Sequence, residues 1–133
     1  MEGEILFRGK TYNQYNENDN GIWLEAFLSQ NMDSGRVYPV ITDGLMVEME
    51  VIPETVGQFT GLCDKNGVKI FEGDILTTET EKPMVIGWSN KFASFVLNID
   101  GWAFSHWFGE SCNPENCVVI GNVHDNKELL KND

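Results

Sequence analysis

The sequence has little positive charge and no long apolar run. The 133 residues include nine Lys and Arg but 21 Asp and Glu, which gives a net charge of -12. No Lys or Arg lies between Lys91 and Lys127. Because Lys and Arg supply most of the affinity for phosphate backbones, we predict no direct binding of DNA or RNA. No stretch approaches the roughly 20 apolar residues of a membrane helix, so we also predict no membrane partner.

Cysteine is scarce and odd in number, with Cys63, Cys112 and Cys117 only. Glu2 and Glu4 lie where a secretory signal would be cationic and then apolar, so we predict a reducing, cytoplasmic location. The C-x4-C spacing of Cys112 and Cys117 lacks the second ligand pair of a structural zinc site. We therefore predict no metal and no cofactor, with Cys63 and Cys117 as small, partly buried residues.

The common motifs of nucleotide binding, zinc proteolysis and serine hydrolysis are missing from the sequence. Glu48 and Glu50 form a carboxylate pair that could serve acid-base chemistry, but their alternation with apolar residues favours an outward, solvated position. His124 beside Asp125 could be a base with its orienting carboxylate, yet no nucleophile is near in sequence. We predict no catalytic residue.

Alternation of apolar and polar residues is the main periodic signal. In the run from Leu45 to Val51, apolar side chains lie on one face and Glu48 and Glu50 on the other, which predicts a half-buried strand. Other short strands are predicted at Ile5–Arg8, Ile22–Leu28, Val37–Ile41, Thr55–Leu62, Val68–Phe71, Asp74–Thr78, Met84–Trp88, Ala93–Ile99, Trp102–Phe108 and Val119–Val123. Leu24–Gln30 could instead form a turn of helix, and Lys127–Lys131 a short terminal one.

Turn signals separate these strands. Asp64-Lys65-Asn66-Gly67 predicts a hairpin, because Asp can bond the backbone two residues on and Asn-Gly tolerates positive φ. Glu72-Gly73-Asp74 then predicts a chain reversal, which would complete a three-stranded meander. Many short strands joined in this way predict a mainly β fold, a small antiparallel β-barrel or sandwich with little helix, as one domain over residues 1–133.

A connected signature lies near both ends and in the centre of the chain, in the segments Glu4–Lys10, Gly21–Ala26, Val51–Leu62, Asp64–Gly67, Lys69–Leu76 and Val119–Asn126. With these segments the sequence resembles the YopX-like family of small bacteriophage and prophage proteins. The run from Pro53 to Asp74 is long enough to be specific. The resemblance implies a mainly β fold, a phage-derived origin and self-association, and it implies no catalytic residues.

An aromatic segment offers candidate binding residues. Trp102, Phe104, His106 and Phe108 share one face of their predicted strand, and Trp107 lies on the other. We interpret this stripe as core, with a ligand pocket or a protein interface as alternatives. In the interface alternative, Trp102, His106 and Trp107 are the contact residues, since Trp is enriched among interface anchors.

These observations favour a non-enzymatic protein-interaction and self-association module. Its expected partners are a host or phage protein and further copies of itself. Two alternatives remain open, an acidic mimic of DNA that inhibits a host nucleic-acid enzyme and an enzyme without a familiar motif.

Overall fold

The computed structural model describes residues 5–12, 21–46, 48–77, 83–90, 94–99, 105–107 and 114–130. Short strands dominate this part of the chain, as the alternation of apolar and polar residues predicts. In chain order the strands are β1 (Phe7–Lys10), β2 (Trp23–Asp33), β3 (Arg36–Thr42), β4 (Glu48–Glu50), β5 (Gly57–Cys63), β6 (Lys69–Phe71), β7 (Asp74–Thr77), β8 (Met84–Ser89), β9 (Ser94–Ile99), β10 (Ser105–Trp107) and β11 (Val118–Asn122).

The strands form two antiparallel sheets. One has six strands in the order β4-β3-β2-β1-β5-β6, and the other has five in the order β10-β9-β8-β7-β11. The predicted mainly β class is confirmed. Within the described residues neither strand order closes on itself, so the fold consists of open sheets and not of a closed barrel.

Helical structure is limited to short 3-10 turns in the described residues. These turns are Pro53–Thr55, Pro114–Asn116 and Lys127–Leu130. The last confirms the predicted helical turn near the end of the chain. In the same part of the chain, no helix has the length and apolar character needed to cross a membrane.

The helical alternative for Leu24–Gln30 is wrong, because these residues lie inside β2. The first part of β2 pairs with β1, from Lys10 opposite Trp23 to Phe7 opposite Ala26. The rest of β2 pairs with β3. Each part of β2 thus pairs with a neighbouring strand, and this pairing overrides the weak local helical preference.

The chain divides into two compact units, Met1–Phe59 and Thr60–Asp133. In the first unit, Val40, Ile41 and Val51 are fully buried. The single domain predicted for residues 1–133 stays a prediction.

The second unit has its own apolar core. Its buried members are Ile70, Leu76, Met84, Ile86, Leu97 and Cys117. Cys117 is therefore a buried apolar residue, as its sequence context indicates, whereas the partial burial predicted for Cys63 is wrong because Cys63 is exposed at the end of β5. Cys112 lies outside the described residues.

The hairpin predicted at Asp64–Gly67 is confirmed. Asp64 donates its N–H to the carbonyl of Val68 at 2.9 Å, and Gly67 donates to the carbonyl of Asp64 at 3.0 Å. Gly67 has φ +81°, whereas Asn66 does not have a positive φ. The turn is thus a three-residue connection with one left-handed glycine and not a two-residue Asn-Gly turn.

The predicted three-stranded meander is wrong, although the chain does reverse at Glu72-Gly73. β6 joins the six-stranded sheet, while β7 pairs with β8 and β11 in the other sheet. Gly73 donates its N–H to Ile86 at 2.8 Å and accepts the N–H of Val123 at 2.9 Å. These bonds tie the reversal to segments remote in sequence, so local turn chemistry did not decide the partner of β7.

Candidate interaction surface

β2, β3 and β4 form an arm in the first compact unit, which we define as residues Phe27–Asp33, Arg36–Thr42 and Glu48–Glu50. A two-residue turn, Ser34-Gly35, joins β2 and β3, and both turn residues have positive φ (52° and 84°). Such turns match the twist of antiparallel strands and fix their register. Among the described residues, the pairing of β1 with β2 ends at Phe7 opposite Ala26.

One face of the arm carries exposed apolar side chains. Met32 and Val37 are directly opposite each other on β2 and β3, and they are 73% and 58% exposed. Leu28 and Met49 flank the buried Ile41 in another cross-strand row of the same face, beyond the row of Gln30 and Pro39, and are partly exposed. The alternation of a strand places all of them on one face, without a charged residue among them. Charge depletion and Met enrichment are typical of interface cores.

The predicted burial of this region is wrong in part. Leu45 lies in the loop before β4 and Met49 within it, and they are 89% and 42% exposed. Val51 is fully buried, as predicted, and Val47, which belongs to the same predicted face, lies outside the described residues. β4 is a terminal strand of its sheet. The alternation of apolar and polar residues indicates a pleated strand, but it does not show that another layer covers the apolar side chains.

The loop between β3 and β4 holds two almost fully exposed apolar side chains. Asp43 Oδ1 accepts the backbone N–H groups of Leu45 at 2.9 Å and Met46 at 3.0 Å. This local cap orders the backbone while Met46 remains 93% exposed. Phe27, also largely exposed, lies beside this loop at Gly44. The loop therefore adds an ordered apolar contact point to the arm.

The opposite face of the arm carries the exposed Phe27 together with polar and charged side chains that bond to one another. Asn31 donates to Glu48 Oε2 at 2.7 Å, and Arg36 forms a bidentate ion pair with Glu50. The hydrogen bond with Glu50 raises the pKa of Arg36, whose guanidinium also lies 4.7 Å from the centre of the Tyr38 ring. Glu48 and Glu50 thus contact an amide and a cation, which agrees with a structural use of both carboxylates.

Two of the nine cationic side chains, Arg8 and Lys10, lie over the same aromatic ring in the first unit, that of Trp23. The Arg8 guanidinium lies 4.8 Å and Lys10 Nζ 5.8 Å from the centre of the Trp23 ring. Lys10 is buried, and its backbone N–H is bonded to Thr55 Oγ1 at 2.9 Å. Stacking on an aromatic face stabilises a cation that has lost water.

Asp64 and Asp74 are buried carboxylates of the second unit, and both accept backbone N–H groups. Asp64 accepts from Val119, Val68 and Asn66, whereas Asp74 Oδ2 accepts from Phe71 at 2.8 Å. Burial opposes the ionisation of Asp64, but the three backbone hydrogen bonds outweigh it and hold its pKa below the ordinary value. Both aspartates therefore order the chain at its turns.

Within the described residues, no group of three or more His, Cys, Asp and Glu side chains could hold a metal ion. Of the aromatic candidates, Trp102 lies outside the described residues. His106 and Trp107 are on β10, opposite Leu97 and Val96 of β9, with only their backbone described. The predicted contact role of these three residues stays a prediction.

The exposed residues of the arm were not among the sequence candidates. Two signals could have indicated them. Leu28–Met32 contains no charged residue in an acidic chain, and Leu45-Met46 directly follows the Asp43-Gly44 turn. Neither signal distinguishes an exposed face from a buried one without the strand partners.

Comparison with known proteins places the chain in a family. The sequence profile of the YopX protein family matches residues 6–131. A solved structure, described as the crystal structure of protein EF1440 from Enterococcus faecalis, is similar with 22% identity and a TM-score of 0.48. It matches over 96% of this chain and 99% of that one. No curated protein matches the chain. The profile match covers nearly the whole sequence, and the chain therefore belongs to the YopX protein family.

Proposed function

We propose that this chain is a protein-interaction and self-association module that uses the arm as its main contact surface. The observation that carries the proposal is the exposed pair of Met32 and Val37 on a face without charge. Burying one such side chain contributes about 1.5–3 kcal/mol, so covering the pair offers a substantial driving force. An ordered apolar loop, Leu45-Met46, lies at the end of β3 and adds two exposed apolar side chains to the arm.

The proposed partners are further copies of the chain and a host or phage protein in the cytoplasm. A phage or prophage source is inferred from the family. Because the net charge is -12, partners with a basic face would be attracted over longer distances. Trp102, His106 and Trp107 are proposed as a second contact region from the sequence pattern alone.

A binding role agrees with how the buried carboxylates are used. Asp64 and Asp74 direct oxygens at backbone N–H groups, and Glu50 directs its oxygens at Arg36. These bonds use acceptor positions that acid-base chemistry would need.

The experiment compares self-association and capture of protein from host lysate by the wild-type chain and by the double variant Met32→Ser/Val37→Ser. We expect a weakening of about tenfold or more for the variant, since about 1.4 kcal/mol of lost contact corresponds to tenfold. Leu62→Ser/Val68→Ser is the matched control, because it removes two exposed apolar side chains outside the arm. A wild-type chain that stays monomeric at high concentration and retains no protein would contradict the proposal.

A further inference from the structure

The strand β2 has an edge whose backbone groups point away from β3. The two-residue turn makes Asp33 and Arg36 a hydrogen-bonded pair, and such pairs alternate along an antiparallel ladder. Gln30 and Pro39 then form a pair without mutual hydrogen bonds. Consistently, Pro39 has no N–H, and its carbonyl accepts from Val51 on the other side of β3 at 3.2 Å.

The same alternation fixes the direction of three residues of β2. The backbone N–H and C=O groups of Leu28, Gln30 and Met32 point toward the side on which β1 lies. The bond from Thr11 N–H to the Ile22 carbonyl, at 3.0 Å, shows that even-numbered residues of this strand face β1. The pairing with β1 ends at Ala26, and the described residues provide no strand opposite the three.

This edge lacks the features that usually prevent one strand from pairing with another. Leu28–Met32 contains no charge, no proline and no glycine. The other strands of the arm differ, since β3 has Pro39 and β4 has Glu48 and Glu50 in three residues. Proline and charged side chains are the common protection of exposed sheet edges.

We propose that β2 of one copy pairs with β2 of a second copy, antiparallel and around a two-fold axis at Gln30. Gln30 then lies opposite Gln30 of the other copy, and Leu28 lies opposite Met32. Three residues on each side exchange N–H and C=O groups, which gives about six hydrogen bonds. The two exposed apolar faces of the arm become continuous across the axis. This inference rests on the proposed self-association and specifies its mode.

A second copy fits this edge better than an unrelated strand because the segment is complementary to itself. In the proposed register Asp33 lies opposite Phe27, and no two carboxylates face each other, although each chain carries a net charge of -12. If β4 instead paired with β4 of a second copy around a two-fold axis at Met49, Glu48 of one copy would lie opposite Glu50 of the other. Such like charges directly opposite each other are destabilising.

The length of the segment limits the strength of the contact. Five residues span roughly 17 Å, and a contact of this size falls in the small, weak class of interfaces. We therefore expect a dimer with a Kd on the order of micromolar or weaker, populated at high concentration.

The experiment uses charge exchange at the symmetry axis, with sedimentation equilibrium as the readout. Gln30→Lys places two cations opposite each other and Gln30→Glu two carboxylates, so each variant alone should dimerise about two- to fivefold more weakly. An equimolar mixture should regain dimerisation at least to the wild-type level, because the ammonium group of one variant would face the carboxylate of the other across the axis. Asn66→Lys and Asn66→Glu, at an exposed turn outside the arm, are the matched controls and should leave dimerisation unchanged.

Each other outcome contradicts a different part of the inference. If the wild type dimerises and the Gln30 substitutions do not weaken its dimer, the pairing of β2 would be overturned but self-association would remain. The same holds if mixing the two variants does not restore dimerisation. A wild-type chain that stays monomeric would overturn both. Thermal melts of the Gln30 variants should match the wild type, since Gln30 is exposed.

Discussion

Asp64 Oδ2 accepts the backbone N–H of Val119 at 3.0 Å, across a sequence separation of 55 residues. The other oxygen of the same carboxylate accepts the N–H groups of Asn66 at 2.8 Å and Val68 at 2.9 Å. One side chain thus orders the β5–β6 hairpin and attaches it to β11 in the second unit. Asp64 is thus the residue from which the sequence predicts the turn, and it also accepts a hydrogen bond from Val119 that the sequence does not predict.

Replacing Asp64 should destabilise the fold. Asp64→Asn keeps one acceptor oxygen and loses the other, so at least one buried N–H loses its partner. We expect a loss of about 1–3 kcal/mol in the free energy of unfolding, measured by urea denaturation. Asp33→Asn, at an exposed turn position, is the control and should change the free energy by less than about 0.5 kcal/mol. An equal effect of the two variants would contradict the assigned role.

The contribution of Asp64 should depend on pH in a defined direction. The folded state lowers its pKa below the ordinary value of 3.8, so the stabilisation is fully present above that value. The stabilisation is lost as the pH falls below 3.8 through the folded pKa, because both states then bind the proton. The advantage of the wild type over Asp64→Asn should therefore shrink in acid, in urea titrations compared between about pH 6 and pH 2. An advantage that stays constant over this range would contradict the lowered pKa.

A close approach of Gly9 to Val51 should make the first unit sensitive to one methyl group. A Cβ at Gly9 would lie 2.9 Å from Val51 Cβ, and Val51 is fully buried. Alanine usually stabilises a strand relative to glycine, but here we expect Gly9→Ala to cost about 1–3 kcal/mol through overpacking.

A double-mutant cycle tests the cause of that cost. Val51→Ala removes side-chain atoms that the added methyl group would meet, so the double variant should be at least about 1 kcal/mol more stable than the sum of the single effects predicts. Additive effects in chemical denaturation would indicate that the cost of Gly9→Ala has another origin.

Hydrogen exchange should reveal the edge of β2 directly. In dilute protein, the amides of Leu28, Gln30 and Met32 should exchange faster than those of Ser29 and Asn31, which face β3. At high concentration the three fast amides should slow down, because the second copy accepts their hydrogen bonds. A protection pattern that does not alternate, or does not change with concentration, would count against the proposed pairing.

The exposure of the arm explains why its role was difficult to predict. Leu45 and Met49 belong to a run of alternating apolar residues, and Met49 lies between Glu48 and Glu50, as on the inward face of a half-buried strand. Both residues are nevertheless exposed, on or beside a terminal strand. The two-residue alternation of apolar and polar side chains indicates a pleated strand, whereas burial depends on whether another layer covers that strand. The candidate surface therefore follows from the position of β4 in the sheet.

Local chemistry in the sequence determined the mainly β class and the Asp64–Gly67 hairpin, because turn torsions and hydrogen bonds over two to four residues need no distant partner. Only the tertiary structure decided that Leu24–Gln30 is a strand, that β7 leaves β6 for β8 and β11, and that Met32 and Val37 are exposed. These outcomes depend on which strands pair with one another and on whether another layer covers them, and a strand's own residues specify neither.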